Sequence, residues 1–166
     1  MAETSFPFEG IDTTEAQFGQ WASTIAGGSG VIIYNNNLAV SGDDSGMQVR
    51  VATGRAIVRG VFYENTTQAT VAIAAADASN PRYDAVVLRL DLVANTISLK
   101  VVTGTPAASP TYPNVTQTDT GIYENLLAYV YVGAGVTSIS AAVVTDARVW
   151  FRNSQPDNSR FLLMGA

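Results

Sequence analysis

The sequence predicts a mainly β protein, an antiparallel β-sandwich with a short N-terminal helix and extended terminal arms. Residues 81 to 102 alternate apolar and polar side chains on both sides of a turn at Ala94-Asn95, which is typical of a β-hairpin. Short apolar runs separated by Gly, Asn and Asp turns continue from residue 31 to residue 148, and helical periodicity ends at Ile25. The composition also favours strands: 47% of the residues are hydrophobic and only 14% are charged.

The central hairpin has two distinct faces. Val86, Leu88 and Leu90 fall on one face of its first strand, while Val87 and Arg89 fall on the other. We expect the first face to lie in the core and the second to be at least partly in contact with water.

A short helix is expected near the N-terminus. Asp12 and Glu15 have the spacing of a capping box, and four apolar residues then recur at helical intervals before a Gly-rich stop: Phe18, Trp21, Ala22 and Ile25. Two interpretations remain open. The helix packs on the domain's own sheet, or its aromatic residues join Phe6 and Phe8 in an arm that docks on a neighbouring subunit.

Further strands are predicted along the chain, followed by a long connection. The predicted strands are Val31–Tyr34, Leu38–Val40, Met47–Val51, Ala56–Tyr63 with a bulge at Gly60, Thr70–Ala74, Tyr123–Val132 and one or two within Val136–Val144. Residues 103 to 120 are rich in Pro, Thr and Ser and lack any period. They are expected to cross between sheets or to reach a neighbour.

The pattern divides the chain into three segments. Residues 1–30 form an N-terminal arm and helix, residues 31–148 the β-sandwich, and residues 149–166 a C-terminal docking tail, in which a polar stretch separates two aromatic groups. Eight apolar residues in the two end segments are predicted to form interfaces: Phe6, Phe8, Phe18, Trp21, Trp150, Phe151, Phe161 and Leu162.

Composition argues against several kinds of site. The net charge is −5 with a single Lys, whereas nucleic-acid binding needs clustered cations, and no window is apolar enough for membrane insertion. The chain has no His and no Cys, which excludes the usual catalytic triads and most zinc sites. Asp43-Asp44 lacks the spacing of a calcium loop and is interpreted as a solvated turn. No catalytic residue, cofactor or metal is expected, and a hydrolase with two carboxylates is the weakest hypothesis.

The order of several short motifs resembles minor tail and baseplate proteins of long-tailed bacteriophages. The motifs are Phe8-Glu9-Gly10, Thr14-Glu15-Ala16-Gln17-Phe18, Ser45-Gly46-Met47-Gln48-Val49, Gly54-Arg55-Ala56-Ile57-Val58-Arg59-Gly60, Pro81-Arg82-Tyr83-Asp84, Gly104-Thr105-Pro106 and Thr145-Asp146-Ala147-Arg148. The resemblance implies a β-rich, commonly trimeric module at the base of receptor-binding appendages. It implies a virion component, made in the host cytoplasm, whose partners are other copies of itself and other tail proteins.

A second hypothesis is direct binding of a host cell-wall saccharide. Residues 35 to 37 and 103 to 120 form the loops that would make the contact, and Tyr112 could stack on a sugar ring.

Overall fold

The computed structural model describes residues 14–26, 28–32 and 36–151, and these form one helix, eleven strands and a short 3₁₀ turn. The elements are α1 (Glu15–Ala26), β1 (Gly30–Ile32), β2 (Val40–Ser41), β3 (Gln48–Val51), β4 (Gly54–Val58), β5 (Val61–Asn65), β6 (Ala69–Ala72), β7 (Arg82–Asp91), β8 (Thr96–Val102), β9 (Ile122–Val132), the 3₁₀ turn (Ala141–Val143), β10 (Val144–Asp146) and β11 (Trp150–Phe151). The predicted mainly β fold with one short helix is confirmed.

The strands form three sheets around one apolar core. Sheet A has the order β11-β1-β4-β5, sheet B the order β2-β3-β6, and sheet C the order β10-β9-β7-β8. All pairs are antiparallel except β1 with β11. Each sheet contributes fully buried side chains to the same cluster, such as Val31 from sheet A, Val49 from sheet B and Leu88 from sheet C. The arrangement is sandwich-like, because the inner faces of the sheets cover one another.

The central hairpin has the predicted register. Val86, Leu88 and Leu90 pair with Val101, Leu99 and Ile97, and all three are buried in the core. Its turn is ordered by Asp91, whose carboxylate accepts the N–H groups of Val93 and Ala94.

The opposite face of this hairpin is partly in contact with water, as predicted, although some of its side chains are covered. Val87 is fully buried, and Arg89 forms an ion pair at 2.6 Å with Glu124, which is itself almost completely buried. Since β8 and β9 lie on either side of β7, residues 103–121 must pass over β7. They cross one face of sheet C, rather than connect two sheets, and Tyr112 packs on Tyr83 and Tyr129 there.

The N-cap of the helix is Thr14, two residues after the predicted cap Asp12. The Thr14 hydroxyl accepts the N–H of Gln17, and the Gln17 side chain accepts the N–H of Thr14, so these two residues form the capping box. Asp12 lies outside the described residues. The helix then crosses the β4–β5 turn at a glycine contact, where a Cβ on Gly60 would come within 2.0 Å of the Gly19 carbonyl oxygen.

Two predicted strands are wrong. Residues 56 to 63 are not one bulged strand but a tight hairpin, in which Val58 pairs with Val61 across a two-residue turn. Arg59 and Gly60 occupy that turn with φ values of 49° and 82°, as type I′ geometry requires. Residues 136 to 143 contain no strand; they form a loop and the 3₁₀ turn, and pairing resumes only at Val144.

The last described strand follows the predicted domain boundary. In β11, Trp150 and Phe151 pair in parallel with Val31 and Ile32 of β1. The boundary predicted at residue 149 therefore precedes a strand that still belongs to sheet A.

Candidate docking surface

The outer face of sheet A carries four apolar side chains beside one ion pair, Arg55–Glu64. The strand registers place Ile57 beside Phe62 and Ile32 beside Phe151, while their neighbours Val31, Ala56 and Trp150 pack into the core. Side chains alternate between faces along a strand, so the first four share the outer face. Phe62 is 55% exposed and the other three are half-buried. Four apolar side chains thus stand on a face that is opposite the core.

Helix α1 adds two exposed aromatic residues. Phe18 and Trp21 are 58% and 50% exposed, and their ring centroids are 5.9 Å apart. The helix contacts β4 and β5, the strands that carry Ile57 and Phe62. The structure therefore combines parts of both interpretations of the helix: it rests on its own domain at the Gly19–Gly60 crossing, and it keeps this aromatic pair exposed.

We define the docking surface as Phe18 and Trp21 of α1 together with Ile32, Ile57, Phe62 and Phe151 of sheet A. A polar groove of about 430 Å³ lies beside it, lined by residues that include Ile32, Asn37 and Asn65. Within the groove, Arg55 and Glu64 form an exposed ion pair at 2.7 Å. Exposed aromatic side chains beside a polar rim are typical of protein–protein interfaces.

Trp150, another predicted interface residue, is partly buried. Its side chain faces inward against the core, and the Arg148 guanidinium lies 4.5 Å above its ring. Arg148 also donates to the Asn37 carbonyl at 2.7 Å and pairs with Asp146 at 2.6 Å. This set of contacts fastens the end of the domain to the start of sheet A, so Trp150 is a structural anchor.

The eight predicted interface residues thus fall into three groups. Phe18, Trp21 and Phe151 belong to the docking surface, and Trp150 faces the core. Phe6, Phe8, Phe161 and Leu162 lie outside the described residues. The sequence interpretation missed Ile32, Ile57 and Phe62, because their common face depends on the pairing of β1, β4 and β5.

Several carboxylates that could have served as ligands or catalysts are paired with arginines, whereas Asp91 accepts the N–H groups of its turn. Asp84 pairs with Arg82 at 2.9 Å in the interior. Hydrogen bonds from Ser45 and the Arg50 guanidinium lower the pKa of Asp43 to about 2. Arg148 likewise lowers the pKa of Asp146. Within the described ranges, no three Asp, Glu, His or Cys side chains come together as a group that could hold a metal ion.

No model of a known protein family matches the sequence, and no curated protein matches it. In the part of the chain that the structure describes, no helix is both long and apolar enough to cross a membrane.

Proposed function

We propose that the protein is a non-enzymatic structural component of a bacteriophage tail tip or baseplate, which docks onto other tail proteins and supports host attachment. The observation that carries the docking role is the apolar surface formed by α1 and the outer face of sheet A. The bacteriophage context is supported by the order of motifs described above, and it predicts a virion location.

The docking surface offers enough apolar area to favour association. Complete burial of one Phe or Ile side chain contributes about 1.5–3 kcal/mol relative to exposure, so a half-exposed side chain would gain about half of that on contact with a partner. Phe18, Trp21 and Phe62 are each at least half exposed. Aromatic residues at the centre of an interface commonly dominate its free energy of binding.

The proposed partners are other copies of this chain, in a homotrimer, and neighbouring tail proteins. In a trimer with threefold rotational symmetry, one patch of each subunit contacts a different patch of the next subunit. The docking surface would be one of these two patches. The polar groove beside the docking surface would lie at the rim of such a contact.

The test uses full-length protein with Trp21→Ser, Phe62→Ser and, as a matched control, Val93→Ser. Val93 is 81% exposed and lies on the β7–β8 turn, and it is not one of the residues of the docking surface. Light scattering should give a trimer for the parent and the control, and a smaller mass for the other two variants at the same concentration. Mass spectrometry of purified particles should find Val93→Ser incorporated and the docking variants depleted.

A parent protein that stays monomeric at high micromolar concentration would contradict the homotrimer. Normal incorporation of both docking variants into particles would contradict the docking role itself.

A further inference from the structure

Four tyrosine rings form a continuous cluster on the outer face of sheet C. The centroid of Tyr83 lies 5.3 Å from that of Tyr131 and 4.4 Å from that of Tyr112, and Tyr112 lies 4.3 Å from Tyr129. Tyr112 is 51% exposed and Tyr131 is 37% exposed. The cluster therefore presents aromatic surface at Tyr131 and at Tyr112, while Tyr83 and Tyr129 are half-buried.

The cluster is assembled from three separate segments. Tyr83 on β7 pairs directly with Tyr131 on β9, and Tyr129 pairs with the small side chain of Ala85, which leaves room above the sheet. The segment that crosses the sheet then places Tyr112 over Tyr83 and Tyr129. The crossing segment is fixed close to the sheet, since a Cβ on Gly104 would come within 2.0 Å of the Tyr83 carbonyl oxygen.

Few charged residues surround the cluster. Residues 101 to 118 and 125 to 145 contain no Asp, Glu, Lys or Arg. The charged neighbours of Tyr83 along β7, Arg82 and Asp84, are buried and paired with each other. Lys100 on β8 lies opposite Val87 and is exposed on the same outer face of sheet C. Loss of hydration, and then the nearby Tyr112, raises the pKa of Tyr83, so its phenol stays protonated at neutral pH. A hydroxyl-bearing aromatic surface with little charge is the result.

This chemistry suits one class of ligand. A pyranose ring has an apolar C–H face that packs on an aromatic ring, and its hydroxyl groups can exchange hydrogen bonds with phenol oxygens. A single-stranded nucleic acid could also stack on tyrosine, but its phosphates need cations, and the protein has a net charge of −5. An acidic saccharide would need a cation, for which Lys100 is a candidate, so uronic-acid probes test this alternative.

We propose that the tyrosine cluster is a binding site for a neutral saccharide, with one sugar ring stacked on the exposed face of Tyr112 and a further contact at Tyr131. The site is on sheet C, whereas the docking surface is on sheet A and α1, so saccharide binding does not depend on the proposed assembly.

The experiment measures binding of full-length protein to an array of neutral hexose and pentose oligosaccharides. Uronic-acid oligosaccharides and a single-stranded DNA oligonucleotide serve as comparison probes. Parent protein should bind a subset of the neutral oligosaccharides. Tyr112→Ala and Tyr131→Ala should each weaken that binding by about tenfold, as expected for the loss of one stacking contact.

Two controls separate recognition from folding and from docking. Tyr112→Phe keeps the stacked ring and should bind within about threefold of the parent, whereas Tyr112→Ala removes it. Tyr131 contacts only Tyr83 in the cluster, so Tyr131→Ala keeps Tyr112 over Tyr83 and Tyr129 and decides the question if Tyr112→Ala fails to fold. Phe62→Ser should leave saccharide binding unchanged.

Three results would overturn the proposal. They are no binding of parent protein to any neutral oligosaccharide at millimolar concentration, undiminished binding by folded Tyr131→Ala, and binding confined to the acidic or DNA probes. None of these results tests the docking role, which is measured by the mass of the protein in solution and by its incorporation into particles.

Discussion

The buried Arg82–Asp84 pair should be one of the most sensitive points of the fold. The two side chains are 4% and 0% exposed, and Arg82 donates to both oxygens of Asp84, at 2.9 and 3.1 Å. Arg82 also donates to the carbonyls of Ala74 and Ala75, and Asp84 accepts the N–H of Gly104. The pair therefore fastens two loops to the start of β7. Asp84→Asn removes the negative charge and keeps the shape.

The expected loss of stability follows from the uncompensated cation. Breaking a buried ion pair by changing one partner costs about 3–5 kcal/mol, since the remaining charge stays out of water. Asparagine can still accept from Gly104, and Arg82 keeps two carbonyl acceptors, so we expect the lower end, about 3 kcal/mol. For a domain of this size that corresponds to a fall in melting temperature of roughly 6–12 °C.

Chemical denaturation followed by circular dichroism provides the assay, and Glu64→Gln is the matched control. Glu64 pairs with Arg55 at 2.7 Å on the surface, where both side chains are more than a third exposed. Removing that charge should cost less than about 1 kcal/mol. If Asp84→Asn were as stable as Glu64→Gln, the Arg82 charge would have access to water, and the reasoning from burial would be refuted.

Three further predictions concern the helix crossing, the acid range and the C-terminus. Gly60→Ala should destabilise the protein more than Gly135→Ala and should expose α1 to proteases. Both positions have positive φ, but a Cβ meets the helix backbone only at Gly60. The pKa of Asp43 is lowered by hydrogen bonds from Ser45 and Arg50 to about 2 in the folded protein, from 3.8, so its stabilising effect is complete above about pH 4 and is lost as the pH falls through about 2. The difference in melting temperature between parent and Asp43→Asn at pH 6 should therefore close by pH 2; a difference that persists would refute the assigned contacts. Truncation after residue 151 should leave the melting temperature within about 3 °C while preventing incorporation into particles, whereas truncation after residue 148 should lower it clearly, because it removes β11 and the ring under Arg148. Equal stability of the two truncated proteins would contradict the structural role of β11.

Local patterns in the sequence were sufficient for the central hairpin and the helix. The spacing of Val86, Leu88 and Leu90 at every second position identifies the inner face directly, because successive residues of a strand point to opposite faces of the sheet. The sequence also indicates the β4–β5 turn locally, although we interpreted Gly60 as a bulge. Val58 and Val61 both face the core, three positions apart, and this change of parity indicates a two-residue turn rather than a continuous strand.

Features that depend on distant pairing were not predictable in the same way. The docking surface needs the register of β1 with β4 and with β11, a strand more than a hundred residues away in the chain. The tyrosine cluster needs β7, β9 and the crossing segment together, so the sequence pointed to Tyr112 alone. Arg89 was expected near water and its side chain is 31% exposed, but nothing local indicates its ion pair with Glu124, which the crossing segment covers.

A cryo-electron microscopy map of the intact particle would show directly where this chain lies. We expect density for this sandwich at the tail tip, with Phe62 and Trp21 buried against a neighbouring subunit and the tyrosine cluster facing outward. A tail tip that lacks this chain, or one in which the outer face of sheet A points into solvent, would contradict the proposed role.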